Sequence, residues 1–320
     1  MTAPERGGAT ADAAAEAAAA GGDHPDRETE RASGTPPTRD SRSAPSRAAA
    51  RLAVEDIVKT FHPGTPNEVR ALRGVSLAIE DGSFVIVVGM NGSGKSTLLN
   101  AVAGSFLLDE GRVSIAGRDV TRWPEHRRAK LIGRVFQNPF SGTAPDLSIA
   151  ENLALAARRG RPRGLGWALG PARRAELAER VGGLGMGLED RLDNPIGSLS
   201  GGQRQALTLL MATWRRPELL LLDEHTAALD PKSADQVIRL SCRAIEQDRL
   251  TTMMVTHSMQ QAATLGDRLI MMVQGRVLHD FAGAEKRRLR AADLLDRFEE
   301  VRRGERLDEA AAEMLRRSYL

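Results

Sequence analysis

The segment GMNGSGKST, Gly89 to Thr97, combines residue types whose spacing points to phosphate chemistry. Its glycines let the backbone curl until consecutive N–H groups face inward, where they can hold phosphate oxygens. The segment follows an apolar strand-like run, SFVIVVG, and opens a helical stretch, which is the context a phosphate-binding loop requires. The helix N-terminus adds partial positive charge. Gly89, Asn91, Gly92, Ser93, Gly94, Lys95, Ser96 and Thr97 are therefore the expected nucleotide-contacting set. Lys95 is spaced to reach the β- and γ-phosphates, and Ser96 offers a hydroxyl to magnesium. A second element, LLLLDE, is an apolar strand ending in two carboxylates, Asp223 and Glu224. Asp223 suits the magnesium, usually through water, because that cation keeps much of its hydration shell. Glu224 is left free to orient and polarise an attacking water as general base. An isolated Asp-Glu pair would read as a solvated strand end; behind four leucines, in a chain with such a loop, it reads as part of the same site.

A third segment, LSGGQRQ (Leu199 to Gln205), lies between the two. Read alone, Ser-Gly-Gly is a flexible turn or a helix cap. Read with Gly89 to Thr97 before it and Asp223 after it, the segment resembles the signature of the ABC ATPase superfamily. Gln137 in RVFQNP, Asp230 in TAALD and His257 in MVTHSM then fall in the order that superfamily has. The resemblance covers about Leu52 to Ala282. It implies an α/β P-loop NTPase of ABC type, with a mostly parallel central sheet, an antiparallel β-subdomain and an inserted α-helical subdomain at about 138–212. It also implies ATP and Mg2+ as cofactors. Two copies would face head to tail, so that Leu199, Ser200, Gly201, Gly202 and Gln203 of one close over the γ-phosphate held by Lys95 of the other. The resemblance gives Gln137 a place beside magnesium and the attacking water, at the joint with the helical arm. It sets His257 against the γ-phosphate beside Glu224, and Asp230 across the dimer interface. Phe61, in KTFHPG, matches the aromatic that stacks on adenine; an ordinary core phenylalanine is the alternative.

Departures from the common pattern fall just after Glu224, where DEHTAALD has His225 and Ala227 in place of Pro and Ser. Neither removes a group assigned to chemistry, and His225 reads as a local packing variant. Longer stretches, such as GRVFQNPFSGTAPDLSIAENLALA and LSGGQRQALTLLMATW, are similar to a subfamily of bacterial importer ATPases linked to aromatic amino-acid uptake. Such subunits work with an integral-membrane permease and a solute-binding protein, at the cytoplasmic face of the membrane. A separate-chain exporter ATPase, or a soluble ABC ATPase acting on ribosome or DNA, are the other readings. One signature, not two, and no sustained heptads speak against the soluble readings.

The elements that must position these residues are legible in outline. Short strands alternating with helical stretches argue for a mostly parallel sheet, with antiparallel strands at the start and a hairpin turning at Gln274-Gly275. LLLLDE and TTMMVTH read as strands buried on both faces, and RVSIAG as half-buried. Between about Asn138 and Leu210 the chain reads as helical and polar. Residues 1–50 contain no Leu, Ile, Val, Phe, Trp or Tyr, and cannot bury enough apolar surface to offset ordering, so a disordered tail is expected, with at most a transient helix at Ala13 to Ala20. Residues 283–320 carry apolar positions at helical spacing, Leu294, Phe298, Val301, then Leu307, Ala311, Met314, and predict two amphipathic helices. They pack on the domain itself or meet a partner or membrane. No run is long and apolar enough to span a bilayer. The formal net charge of +3 would suit anionic membrane, nucleic acid or nucleotide phosphate alike. No nucleic acid is expected, because the basic EKRRLRAADLL stretch interleaves acids and lacks aromatics. The one cysteine, Cys242, excludes an internal disulfide and a multi-thiolate zinc site.

Overall fold

The computed structural model describes residues 50–160 and 169–303. Residues 1–49 of the expected N-terminal tail, with the Ala13 to Ala20 stretch, and the second C-terminal helix at Leu307, Ala311 and Met314 lie outside them, while Ala50, the last residue of that tail, opens the first strand. In chain order the elements are β1 (Ala50–Phe61), β2 (Val69–Glu80), β3 (Phe84–Gly89), α1 (Lys95–Ala103), β4 (Glu110–Ile115), β5 (Arg118–Asp119), α2 (Glu125–Arg128) and β6 (Ile132–Val135). There follow α3 (Ile149–Ala157), α4 (Pro171–Gly182), α5 (Gly201–Thr213), β7 (Leu219–Asp223), α6 (Pro231–Asp248), β8 (Thr252–Val255) and α7 (Met259–Thr264). The last are β9 (Arg268–Val273), β10 (Arg276–Ala282), α8 (Gly283–Arg288) and a helix over 291–303, here α9.

Two sheets are built from these strands. One is antiparallel, in the order β2-β1-β4-β5; the other has six strands in the order β10-β9-β3-β8-β7-β6. In the second, β9, β3, β8, β7 and β6 run parallel, and β10 returns antiparallel on β9. The β9–β10 turn is Gln274-Gly275, with φ of 46° and 75°. Two successive left-handed residues give the twist a two-residue hairpin needs, and the second is glycine for that reason.

Burial on both faces of the parallel sheet follows from a strand's two-residue period. Val85, Val87, Leu219, Leu221, Met253, Val255, Ile270 and Met272 face the antiparallel sheet and α1. Ile86, Val88, Leu220, Leu222, Met254, Leu269 and Met271 face the other way, toward Leu209 and Ala212 of α5 and Ile245 of α6. Leu294 and Phe298 of α9 join this second layer beside Phe281, so the first C-terminal helix packs on the chain's own core. The helical stretch between β6 and β7 has its own apolar centre, including Ile149, Leu153, Leu177, Val181 and Leu207. It thus has an apolar centre that its polar composition does not suggest, with a few polar residues, among them Asn152, Arg204 and Gln205, buried beside it.

Candidate functional site

The four central strands β9, β3, β8 and β7 all point the same way, so the loops at their C-terminal ends gather on one edge. Open α/β sheets bind ligands on that edge. The glycine loop runs from the end of β3 to the start of α1, with Gly92 and Gly94 at φ of 78° and 98°. A Cβ on Gly94 would lie 2.6 Å from the Ala71 carbonyl oxygen, and one on Gly89 would lie 2.5 Å from that of Met272. Sterics thus demand glycine at both positions. The hairpin turn braces the loop from behind: Gly275 N–H donates to Ser93 O (2.9 Å), and Arg73 N–H donates to Gly275 O (2.9 Å).

Lys95 is buried at the floor of this loop, its Nζ donating to the carbonyls of Gly89 (2.9 Å) and Met90 (3.0 Å). Burial pulls its pKa below the ordinary lysine value, against the opposing pull of the Glu224 and Asp223 carboxylates. Asp223, at the end of β7, is shifted the other way: burial raises its pKa, while Arg134 and Lys95 hold it down. Each charge is therefore costly alone and is supported by the other. Ser96 is exposed in the first turn of α1 and Thr97 half-buried behind it, while Ser93 Oγ is buried without a partner. Asn91 and Gly92 are exposed at the loop tip.

Glu224 follows Asp223 with φ of 45°, a left-handed conformation that costs a non-glycine residue free energy and persists only where the surroundings enforce it. Enforcement comes from its own N–H, which donates to Val255 O at 3.0 Å, and from the residue that follows. His225 is 1% exposed, its Nε2 lies 3.0 Å from Ser241 Oγ on α6, and Ser241 donates in turn to Val237 O (2.9 Å). With the serine proton committed, the imidazole is the donor; its Nδ1 is buried without a partner. Burial lowers its pKa from 6.5 to about 4, so it is neutral. The departure from the common pattern is thus a buried anchor between the carboxylate loop and α6, away from the reacting edge.

His257 Nε2 lies 2.6 Å from Glu224 Oε1, and 43% of the His257 side chain is exposed. Its loop between β8 and α7 is fixed by Ser258, which N-caps α7 by accepting from Gln261 N–H (3.2 Å). Thr256 Oγ1 also donates to Gln261 Oε1 (2.7 Å). Gln137 is exposed two residues beyond β6, at the entry to the helical stretch. Phe61 closes β1 and is half-buried; its ring meets Phe106 edge-on at 5.3 Å, and it is not among the buried core residues.

Ser200 and Gln203 form a reciprocal cap at the start of α5: Ser200 Oγ accepts from Gln203 N–H (3.3 Å), and Gln203 Oε1 accepts from Ser200 N–H (3.2 Å). Leu199 is buried beneath, whereas Ser200 and Gly201 face solvent. Gly202 backs onto Ser233, where a Cβ would lie 2.7 Å from the serine Cβ. Asp230 N-caps α6 by accepting from that same Ser233 N–H (3.0 Å), so the two helix starts abut. Within the chain, Lys95, Asp223, Glu224 and His257 come together. The hydrogen bonds of the Ser200 cap stay within its own helix, and none reaches Gly89 to Thr97.

Arg134, on β6, is a member of this cluster that the sequence did not signal. Its guanidinium lies 3.6 Å from Asp223, donates to Asn100 of α1 and stacks on Phe136 at 4.5 Å. The oxygens of Ser96, Asp223 and Gln137 are hard donors, the chemistry magnesium prefers. Among the described residues, the half-buried carboxylate of Asp223 has a 3.6 Å arginine contact as its ion pair, which leaves room for a second cationic partner there.

A braced anion loop beside a paired acid and base on neighbouring strand ends places the fold among the P-loop nucleotide hydrolases. Comparison with known proteins narrows that class. The sequence profile of the ABC transporter family matches residues 72–227, from before the loop to just past Glu224. A tyrosine transport ATP-binding protein of Clostridioides difficile is 40% identical over 250 residues, covering 78% of this chain and 98% of the relative. A lipoprotein-releasing system ATP-binding protein, LolD, of Ruegeria is 36% identical over 228 residues, covering 70% and 96%. Among solved structures, the ATP-binding cassette MJ0796, a dimer in a post-hydrolysis state bound to ADP and Pi, is similar with a TM-score of 0.63 at 30% identity, over 72% of this chain and 98% of that one. The chain belongs to the ATP-binding family of ABC transporters. It is an ABC transporter ATPase subunit, and it hydrolyses ATP.

Proposed function

We propose that this chain drives a bacterial importer of a small solute such as an amino acid, as one of two identical cassettes docked on an integral-membrane permease at the cytoplasmic face. The observation that carries the import reading is the 40% identity to a tyrosine transport ATP-binding protein along nearly all of that relative's length. Lys95 and the loop amides hold the β- and γ-phosphates, with Phe61 against the adenine. Ser96, Asp223 and Gln137 would hold Mg2+, which when bound would neutralise phosphate charge. Glu224 orients the attacking water and takes its proton, and His257, 2.6 Å from that carboxylate, keeps it aimed at the γ-phosphate. Ser200, Gly201, Gly202 and Gln203 of the second cassette complete the site. The solvent-facing helix N-terminus of α5 supports this reading, because its exposed N–H groups are placed to receive an anion from outside the chain. A solute-binding protein outside the membrane would deliver the solute to the permease. Asp230 faces the same second cassette.

The similarity to a lipoprotein-releasing system ATP-binding protein favours a second reading, in which the chain powers export or extraction. One experiment separates them. The tagged chain is purified from gently solubilised membranes of its host with a slowly hydrolysed ATP analogue, and copurifying proteins are identified. Import predicts a multi-span permease at comparable abundance and a solute-binding protein. A membrane partner with a large periplasmic domain and no binding protein would overturn import. Recovery only from the soluble fraction with ribosomes or DNA would overturn transport.

A further inference from the structure

Two adjacent side chains of α5, Arg204 and Gln205, are almost completely buried and point to different segments. Gln205 is 0% exposed, and its Nε2 donates to the backbone carbonyl of Phe136 at 3.0 Å, the residue immediately before Gln137. Its Oε1 is buried without a partner. Arg204 is 3% exposed and donates to three carbonyls of the turn that ends at Ser200: Ile196 O (3.2 Å), Gly197 O (2.8 Å) and Leu199 O (3.0 Å). The same guanidinium lies 3.7 Å from the ring centroid of Phe140, just beyond Gln137. One helical turn is thereby pinned at one residue to the 136–140 segment and at its neighbour to both that segment and the Ser200 turn.

We propose that Gln205 and Arg204 are positioning residues that make the Gln137 segment and the Ser200 cap move as one body, so that ATP engagement at Gln137 sets the presentation of the signature to the second cassette. This inference rests on the head-to-tail reading above. The amide of Gln205 is suited to the role because one of its two polar atoms is used and the other is a buried acceptor, which costs free energy until a donor reaches it. A shift of the 136–138 backbone toward α5 would bring a peptide N–H to that acceptor. The segment is thereby held loosely before ATP engagement and firmly after it. Arg204 transmits the same shift, since its fork spans three carbonyls and cannot release one turn without disturbing the others.

The test uses the full-length chain with Glu224→Gln, so that ATP is bound and not turned over, and follows ATP-driven dimerisation by analytical ultracentrifugation. Nucleotide affinity of the monomer is followed with a fluorescent ATP analogue. Adding Gln205→Leu, similar in size and without the amide, is expected to leave the monomer affinity within twofold and to weaken ATP-driven dimerisation about tenfold. Adding Arg204→Lys, which keeps the charge and loses the fork, is expected to act in the same direction. A double-mutant cycle of Gln137→Ala and Gln205→Leu, read on kcat in the Glu224 background, should show coupling of about fivefold or more, which a merely structural role would not produce. Equal dimerisation of the parent and both variants, or additive effects in the cycle, would overturn the inference while leaving the sandwich intact. A parent that stays monomeric with ATP would overturn the sandwich reading, and this inference with it. Should Gln205→Leu fold poorly, Gln205→Glu keeps the volume but sets an acceptor against Phe136 O, and is held to the same expectations.

Discussion

His225 makes a prediction that can be worked from its surroundings. The folded chain holds the imidazole neutral, with its pKa lowered from 6.5 to about 4 by burial, while the unfolded chain titrates normally. Above pH 6.5 both states are neutral and the shift has no effect on stability. As pH falls through that value the unfolded chain takes up a proton that the folded chain refuses, so stability is lost progressively down to pH 4. At pH 5 the difference in proton uptake is worth about 2 kcal/mol, taking 1.36 kcal/mol per pKa unit. His225→Gln removes the titration and keeps a donor within reach of Ser241. Urea unfolding of wild type and variant at pH 7.5 and pH 5.0 isolates the effect, because carboxylates and other histidines titrate alike in both. The expected result is that wild type loses about 2 kcal/mol more than the variant over that interval. Parallel losses in the two proteins would refute the reasoning, since a histidine that titrates normally in the fold cannot be buried and neutral as its geometry requires.

Other consequences follow from single positions. Glu224→Gln should lower kcat by about 100-fold to 10,000-fold, the range for loss of a general base, while ATP binding persists in a nucleotide-affinity assay. Arg128 is 0% exposed and donates to the carbonyls of Ala101, Val102, Thr121 and Trp123, joining the end of α1 to the segment before α2. Arg128→Met should therefore cost at least about 3 kcal/mol of stability by chemical denaturation, because two buried and two part-buried carbonyls lose their donor. Gly94→Ala should abolish measurable ATP binding in a fluorescent-nucleotide titration, since the added Cβ meets Ala71 O at 2.6 Å and the φ of 98° is foreign to alanine.

Local patterns carried most of the fold's legibility. LLLLD and TMMV declare strands buried on both faces because each residue in turn must find an apolar layer, and the sheet supplies one on either side. The Gln274-Gly275 hairpin is legible because only certain residues accept two left-handed conformations in succession. Ser200 and Gln203 are legible as a cap because both partners sit within one helical turn. Arg134 and the Gln205 contact to Phe136 were not, for a common reason. Each acts through a partner that only the fold brings near, as with Gln205 and Phe136, which are 69 positions apart. A lone arginine in GRVFQ or a second glutamine in GGQRQ has no spacing to betray it. His225 is intermediate: its identity marks a departure from the common pattern, but its partner Ser241 is known only from the packing of α6 on the strand end.

The two ends of the reacting edge are stabilised in different ways, and the difference bears on how the molecule cycles. Glu224 sits in a strained backbone conformation held by the hydrogen bond from its N–H to the Val255 carbonyl and by the buried His225 behind it. Strain of this kind is retained only where several independent contacts enforce it, so the carboxylate is set before any ligand arrives. The Ser200 cap is the opposite case. Its internal bonds are complete, yet its helix N-terminus opens to solvent, and its support runs through Arg204 to a loop that carries an exposed Gln137. A rigid base and a movable cap are what a switch requires: in the head-to-tail arrangement proposed above, chemistry would be preorganised on one cassette, and access to it would depend on where the other cassette's helix is held. Rigidifying the cap should then raise ATP-driven closure and slow release together, whereas loosening His225 should lower the chemical step alone. Pre-steady-state phosphate-release kinetics on Ser241→Ala and on Gln205→Leu would separate the two, and a shared effect on the same step would contradict this division of labour.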